Sequence, residues 1–390
     1  MNKRVVLHGG LVFDGVRSHG PGWVLLENGL IEAVEHAEVA APTDAEVVDF
    51  GPDAFVMPGL VDAHVHLCMG ATDDAVGVLT AADDDALLDT AREAAQRALR
   101  AGITTVRDLG DRAYTGLRLR DEYGGGREIG PHLVVAGPPV TTTGGHCHFL
   151  GGEAEGREAL RAAVRERAER GCDVLKVMAS GGSITPGSVP HLSQYARAEL
   201  EFLAEEAHRL GMTAAAHAHG TAAIADAAAA GFDTIEHATF ATPSGIEGND
   251  AVVELLAASD VTISATMGFH PDSPVTKARN PSLVLRGIRR RLHRLGVPLV
   301  VGTDAGIDSA KPHDVLPHGV EDLPEFGMST VDALRSATSV AAHACGVGTL
   351  KGRLATGYDA DVLVVTGNPL ETLADLREVT AVFRAGVRVR

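Results

Sequence analysis

The chain has 390 residues, too many for one small core and suited to a large domain with a smaller one beside it. Its 34 basic and 52 acidic residues leave a net charge of −18, which argues against nucleic acid or an anionic membrane as the main partner. Cys68, Cys147, Cys172 and Cys345 lack CxxC spacing and read as free thiols. No N-terminal h-region and no run of about 18 apolar residues points to export or a membrane span, so the cytoplasm is the expected location.

The segment up to about Phe55 reads as short strands broken by turns: Arg4–Leu7, Gly10–Asp14, Trp23–Glu27, Leu30–Val34 and Glu46–Asp49, with Asn28-Gly29 as a hairpin turn. Next comes Met57–Leu67 (MPGLVDAHVHL), a mostly apolar run that leads into His64 and His66. On a strand, positions i and i+2 share a face, so these two imidazoles can hold one metal ion together. From there the chain alternates. Strand-like runs at Gly59–His66, Ile103–Asp108, His132–Ala136, Asp173–Met178, Thr213–Ala218, Thr234–Ala238, Thr262–Met267 and Pro298–Thr303 are separated mostly by helical stretches.

The clearest helix is Arg197–Leu210, where Leu200, Leu203, Ala204, Ala207 and Leu210 fall on one face and Gly211 is the stop signal. Ala251–Ser259 and Val331–Ala344 behave likewise, and an alanine-rich helix lies near Ala222–Ala230. Eight strand–helix units predict an α/β chain with a (β/α)8 TIM barrel over residues 57–354. The glycine-rich loop Thr141–Gly152 is expected over the barrel mouth. From about Ala355 the chain turns β-rich again, with strands at Asp361–Thr366 and Ala381–Ala385 around a Gly367-Asn368-Pro369 turn. Residues 1–56 and 355–390 are expected to pair into one small β-sandwich domain.

Barrel active sites form where the strands end at the C-terminal face. There this chain places His64 and His66 on strand one, Lys176 on strand four, His217 and then His219 on strand five, His237 on strand six and Asp304 on strand eight. Imidazole and carboxylate suit a metal such as zinc. A cationic lysine has donors and no lone pair, so Lys176 requires either a salt bridge to Asp304 or covalent modification.

This set resembles the amidohydrolase superfamily, and the resemblance spans essentially the whole chain, including the closing segment Gly357–Pro369 (GYDADVLVVTGNP). It implies a carbamate on Lys176, formed from carbon dioxide, that bridges two divalent ions, with zinc expected and manganese or iron compatible with the same ligands. His64, His66 and Asp304 would hold the more buried ion, and His217 and His237 the other. The stretches Lys176-Val-Met-Ala-Ser-Gly-Gly, His217-Ala-His-Gly and Thr143-Gly-Gly-His146 resemble the branch of imidazolonepropionase-like metallopeptidases, which includes Xaa-Pro dipeptidases, carboxypeptidases that release basic residues, and ochratoxin-type amidases.

The implied reaction is cleavage of an amide C–N bond in a small molecule, a dipeptide or N-acyl amino acid, by a metal-bridging hydroxide. Asp304 would shuttle the proton to the leaving amine, and the exposed metal, with His146 or His219, would stabilise the oxyanion. Some relatives carry a tyrosine two residues after the strand-five histidine; here that position is His219, a substrate contact by this reading. Arg107, in Arg107-Asp108, either binds a substrate carboxylate or sits in an internal ion pair. His148 reads as a solvated loop residue and Cys68 as a small buried one. His270, His313 and His318 follow strands seven and eight with no role fixed.

Two rival readings have their own signatures. A mononuclear deaminase or cyclic-amide hydrolase usually lacks the strand-four lysine, and many carry a glutamate shortly after the strand-five histidine, where Gly220–Ile224 has none. A non-catalytic scaffold would have lost its ligands, and an isomerase or lyase would use the same site. The expected partner is a small-molecule substrate, and nothing in the sequence excludes a homo-oligomer.

Overall fold

The computed structural model describes residues 4–36, 39–126, 128–274, 276 and 282–390. Seven strands open the chain: β1 (Val5–Gly9), β2 (Leu11–Phe13), β3 (Ser18–His19), β4 (Gly22–Glu27), β5 (Leu30–His36), β6 (Glu46–Asp49) and β7 (Ala54–Pro58). Four of them form a sheet of order β5-β4-β1-β6. The turn between β4 and β5 is the expected Asn28-Gly29, with φ of 53° and 81°. Two successive positive φ values match the right-handed twist of the flanking strands, and asparagine and glycine adopt them at least cost.

The middle of the chain supplies β8 (Leu60–Val65), β9 (Ile103–Asp108), β10 (His132–Val135), β11 (Val174–Met178), β12 (Thr213–Gly220), β13 (Thr234–Thr242), β14 (Gly245–Ile246), β15 (Thr262–Thr266) and β16 (Leu299–Gly302). All but β14 pair in parallel, in a sheet of order β10-β9-β8 and a sheet of order β11-β12-β13-β15-β16. Single parallel bridges, Val140 with Val177 and Val65 with Ala305, connect the two sheets. Parallel neighbours need long crossovers, and helices such as Asp84–Arg100, Arg157–Arg170, Arg197–Arg209, Thr221–Ala229 and Leu283–Arg294 provide them. In Thr221–Ala229 the buried Ala223, Ala227 and Ala228 let the helix backbone lie close to its strands. The architecture is thus α/β, built on parallel sheets.

The last strands, β17 (Val362–Thr366), β18 (Val379–Arg384) and β19 (Val387–Arg388), return to the N-terminal region and complete a sheet of order β19-β18-β17-β7-β2-β3. β7 pairs with β17 along its whole length and so runs across the expected boundary after residue 56. This sheet and the four-stranded one share a buried cluster that includes Leu7, Val24, Val56, Val364 and Phe383.

Local readings hold at Arg197–Arg209, which ends before Gly211 at φ 81°. One differs. The helix expected over Val331–Ala344 is two, Thr330–Ser336 and Ser339–Ala344. At the break, Ser336 Oγ and Thr338 Oγ1 donate to the carbonyls of Ala333 and Leu334 at 2.7 Å each, and the Ala337 carbonyl accepts from Val61 N of β8 at 2.8 Å. Hydroxyl side chains compete for helix carbonyls, and here the strand takes up the acceptor that the break leaves. The four cysteines are free and buried. Among the described residues no helix is long and apolar enough to cross a membrane.

Candidate active site

His64, near the end of β8, and His66, just beyond it, point into one cavity with Asp304, which follows β16. His64 Nε2 and His66 Nε2 lie 3.3 Å apart, and Asp304 Oδ1 is 3.4 and 3.3 Å from them. Tetrahedral ligands about 2.0–2.1 Å from a zinc ion would be about 3.3–3.4 Å from one another, so this triangle has the dimensions of a metal site. The other ring nitrogens are engaged: His66 Nδ1 donates to the Gly110 carbonyl at 2.8 Å, and His64 Nδ1 donates to Glu236 Oε2 at 2.9 Å. Both bonds leave a lone pair on Nε2, as a ligand requires. Burial lowers the His64 pKa to about 4, so the ring is neutral at pH 7.

The strands are locked together beside these ligands. Asp304 N donates to the His64 carbonyl at 2.7 Å. Asp62 accepts from Thr303 N at 2.9 Å and Thr303 Oγ1 at 2.7 Å. Gly302 lies so close to β8 that a Cβ there would meet His64 Cβ at 2.5 Å, so only glycine fits. Burial opposes ionisation of Asp304, but the imidazoles of His64 and His66 outweigh it and hold the carboxyl well below the usual range.

A second cluster faces the first. His217, His219 and His237 each bring a ligand atom within 4.8 Å of the others, and the His237 ring centroid is 5.3 Å from that of His64. His217 Nε2 donates to the Gly181 carbonyl at 3.1 Å, which leaves the lone pair on Nδ1. His237 Nδ1 is 2.8 Å from Thr266 Oγ1, and His219 Nδ1 is 2.9 Å from Thr239 Oγ1. Burial first, then neighbouring imidazoles, hold the His217 and His237 pKa values well below the usual one, the neutral state that metal binding needs. Two candidate ligands sit in the left-handed region, His237 at φ 69° and Asp304 at φ 59°. Such strain, of order 1–3 kcal/mol, persists where surrounding structure imposes it, and clusters at functional sites.

Lys176, on β11, lines the same cavity. It is buried and its Nζ has no hydrogen-bond partner. The salt bridge to Asp304 is therefore absent. Burial lowers its pKa to about 8. An amine left unpartnered in a protein interior costs free energy unless something else occupies the space around it.

The cavity has a volume of about 310 Å³, and its wall includes His146, Ser183, Ile184, Phe269, Arg289 and Lys311 besides the two clusters. The glycine-rich loop brings His146 there, anchored by its N–H to Gln194 Oε1 at 2.6 Å. Its ring stands 4.6 Å from that of His217, its Nδ1 has no partner, and burial lowers its pKa to about 3. His148 is exposed. His313 is buried with Nε2 donating to the His66 carbonyl at 3.1 Å, whereas His318 lies outside the cavity wall against Arg377. His270 also lies outside it, near His318.

Arg107 does not reach the cavity, and its reading as a substrate contact is corrected. It is fully buried, with Nε donating to the Ala63 carbonyl at 2.7 Å, Nη1 to Thr234 Oγ1 at 3.2 Å and Nη2 to Glu236 Oε1 at 2.9 Å. Glu236 is a buried residue of this site that the sequence did not single out, although an acidic residue directly before His237 was a visible signal. Its carboxylate joins Arg107 to His64. Burial would raise its pKa, but Arg107 and then His64 hold it far below the usual range. Glu236→Gln is expected to weaken metal affinity about 10–100-fold, measured by chelator competition, with the hydrogen bond from His64 kept and the charge lost.

Comparison with known proteins agrees with this geometry. The amidohydrolase family model matches residues 55–389. Ochratoxinase of Aspergillus niger is 29% identical over 367 residues, which cover 85% of this chain and 75% of that protein. A Xaa-Pro dipeptidase crystallised with methionine in its active site shares the fold with a TM-score of 0.87, at 24% identity and full coverage of both chains. A prolidase complexed with N-methylphosphonate-L-proline superposes at a TM-score of 0.85, with 26% identity and full coverage of both chains. With its parallel α/β scaffold and two facing clusters of potential ligands, the chain belongs to the amidohydrolase family and is a hydrolase of carbon–nitrogen bonds.

Proposed function

We propose that the protein is a two-metal amidase of small, carboxylate-bearing substrates, a dipeptide or an N-acyl amino acid. The observation that carries this reading is the pair of ligand clusters on one cavity with the unpartnered Lys176 in its wall. His64, His66 and Asp304 would hold one ion and His217 and His237 the other. Lys176, carboxylated by carbon dioxide, would bridge them, which gives its buried Nζ a purpose that no hydrogen bond supplies. The same reading takes the two linked parallel sheets as one closed barrel over residues 57–354, and the two β-rich ends as a sandwich of residues 1–56 and 355–390.

When bound, divalent zinc supplies an activated water and polarises the scissile carbonyl. The chain's own residues do the rest. The Asp304 carboxylate takes the proton of the attacking water and delivers it to the leaving nitrogen, which would otherwise depart as a poor anion. The neutral His146 ring has one N–H to offer the carbonyl oxygen. His219, stacked on His237 at 4.5 Å, stands where it can contact the substrate or add to the second ligand set. Arg289 and Lys311 make the wall cationic, which suits a substrate carboxylate. The prolidase and ochratoxinase names among the relatives support amides of amino acids as the class.

The test is a panel of dipeptides, N-acyl amino acids, lactams and ureas offered to zinc-loaded protein. Amide cleavage with two zinc ions per chain, lost with a chelator and restored by zinc, is the expected result. One ion per chain at full turnover would replace the two-metal reading with a mononuclear one. Unchanged turnover after complete metal removal would end it.

A further inference from the structure

The wall of the hydrolytic cavity has two chemically different sides. One is apolar. Cys147, which follows β10, Met178, at the end of β11, Ile184, beyond it, and Ile307, which follows β16, line the cavity and pack in one hydrophobic cluster. Burial pushes the Cys147 thiol up to about 12, so this side carries no charge at neutral pH.

The other side is cationic. Arg289 and Lys311 are both buried, and both line the cavity. Arg289, in the helix Leu283–Arg294, donates from Nη2 to the His237 carbonyl of β13 at 3.3 Å, and its guanidinium carbon stands 5.2 Å from the centre of the Phe326 ring. Lys311 Nζ donates to the Thr303 carbonyl, just beyond β16, and lies 4.2 Å from the centre of the Phe269 ring. These contacts fix the two positive charges at the β13–β16 side of the cavity.

Among the described residues, Asp304 is the one acidic side chain in this wall, and its Oδ1 already stands 3.4 and 3.3 Å from the Nε2 atoms of His64 and His66. Other acids of the neighbouring segments lie outside the wall. Glu236 is bound to Arg107 and His64. Asp308 Oδ1 accepts from Ala310 N at 2.7 Å, and Glu153 Oε1 from Gly144 N at 2.6 Å.

This charge pattern discriminates between substrates. A dipeptide brings an α-ammonium with a pKa of about 7.7–8.0. In this cavity it would leave water to face two fixed cations with no carboxylate to pair with, which is unfavourable. A carboxylate gains from the same two cations. An uncharged acyl chain gains by burial against the apolar side.

We propose that the cavity selects N-acyl amino acids with an apolar acyl group over dipeptides with a free α-amine, the carboxylate lying on the Arg289–Lys311 side and the acyl chain on the Met178–Ile184–Ile307 side. This inference rests on the amidase reading given above and narrows its substrate class.

Isobutyryl-L-leucine and L-alanyl-L-leucine test it, because the first has a methyl group where the second has its ammonium. With zinc-loaded protein at pH 7, kcat/KM is expected to be at least about 10-fold higher for isobutyryl-L-leucine. The ratio should shrink toward pH 9, as the amine of the dipeptide loses its proton while both carboxylates stay ionised. Equal rates or a preference for the dipeptide at pH 7 would overturn the proposal, as would a ratio that does not change with pH. Calorimetric binding of the same compounds separates this outcome from failure of the amidase reading. If neither compound is cleaved, that reading fails for this class, whereas tighter binding of isobutyryl-L-leucine still supports the selection and equal or tighter binding of the dipeptide overturns it. Isobutyryl-L-leucinamide, which lacks the carboxylate, should bind at least about 10-fold more weakly than the acid, and equal binding would overturn the placement beside Arg289 and Lys311.

Discussion

Asp304→Asn is expected to lower kcat by about 10³-fold or more while the protein stays folded. Loss of a general acid–base alone accounts for about 10²–10⁴, and the substitution also removes a charged ligand candidate from the His64–His66 triangle. Asparagine has nearly the same shape and tolerates the left-handed φ of 59° found at this position. The backbone bond from residue 304 to the His64 carbonyl is also retained. Thermal denaturation should therefore be close to wild type, and zinc analysis separates the two causes: retained metal with lost turnover isolates the proton shuttle. Near-normal kcat would refute the role assigned to Asp304.

Arg107→Met is expected to produce the largest loss of stability. The variant removes the partner of a fully buried carboxylate, together with the donors to Ala63, Thr234 and Ala344. Breaking one half of a buried pair costs about 3–5 kcal/mol, because the remaining charge stays desolvated. The sign of the pH dependence follows. Glu236 in the wild type has a folded-state pKa held below its unfolded value, so its contribution is present above the unfolded carboxylate pKa of about 4.3 and fades as pH falls toward the folded value. Without Arg107, the largest opposing influence on the carboxyl is gone, only His64 and Lys176 still offset its burial, and its pKa rises. The gap between wild type and variant should then be widest near neutral pH and narrow in acid, as read from urea unfolding at several pH values. A constant gap from neutral to strongly acidic pH would show that the pair is not its source.

Much of the site was legible because each histidine and aspartate among the ligand candidates stands at or near the end of a strand-like run, with Lys176 inside one. Two-residue spacing put His64 and His66 on one face, and an apolar run ending in Asp304 marked the last parallel strand. The same local logic could not place Arg107. An arginine at a strand end reads equally as a carboxylate clamp or as an internal partner, and only the arrival of Glu236 from a strand 129 residues away resolves it. The helix break at Ala337-Thr338 was hidden for a similar reason: it depends on a strand amide that donates to the helix's spare carbonyl. Lys176 required an explanation from the outset, and the structure removed one of the two on offer by leaving its Nζ without the Asp304 bond.

What the sequence by itself determined was the alternation of elements, the strand-end histidines and the family resemblance, since periodicity and residue chemistry are local properties of a chain. The tertiary structure decided which nitrogens are already engaged, that His219 joins the second cluster, and that Glu236 and Arg107 buttress His64 from below. Those outcomes depend on distances between segments that lie from 20 to 172 residues apart in the chain, and such distances are set by packing, which local pattern does not contain.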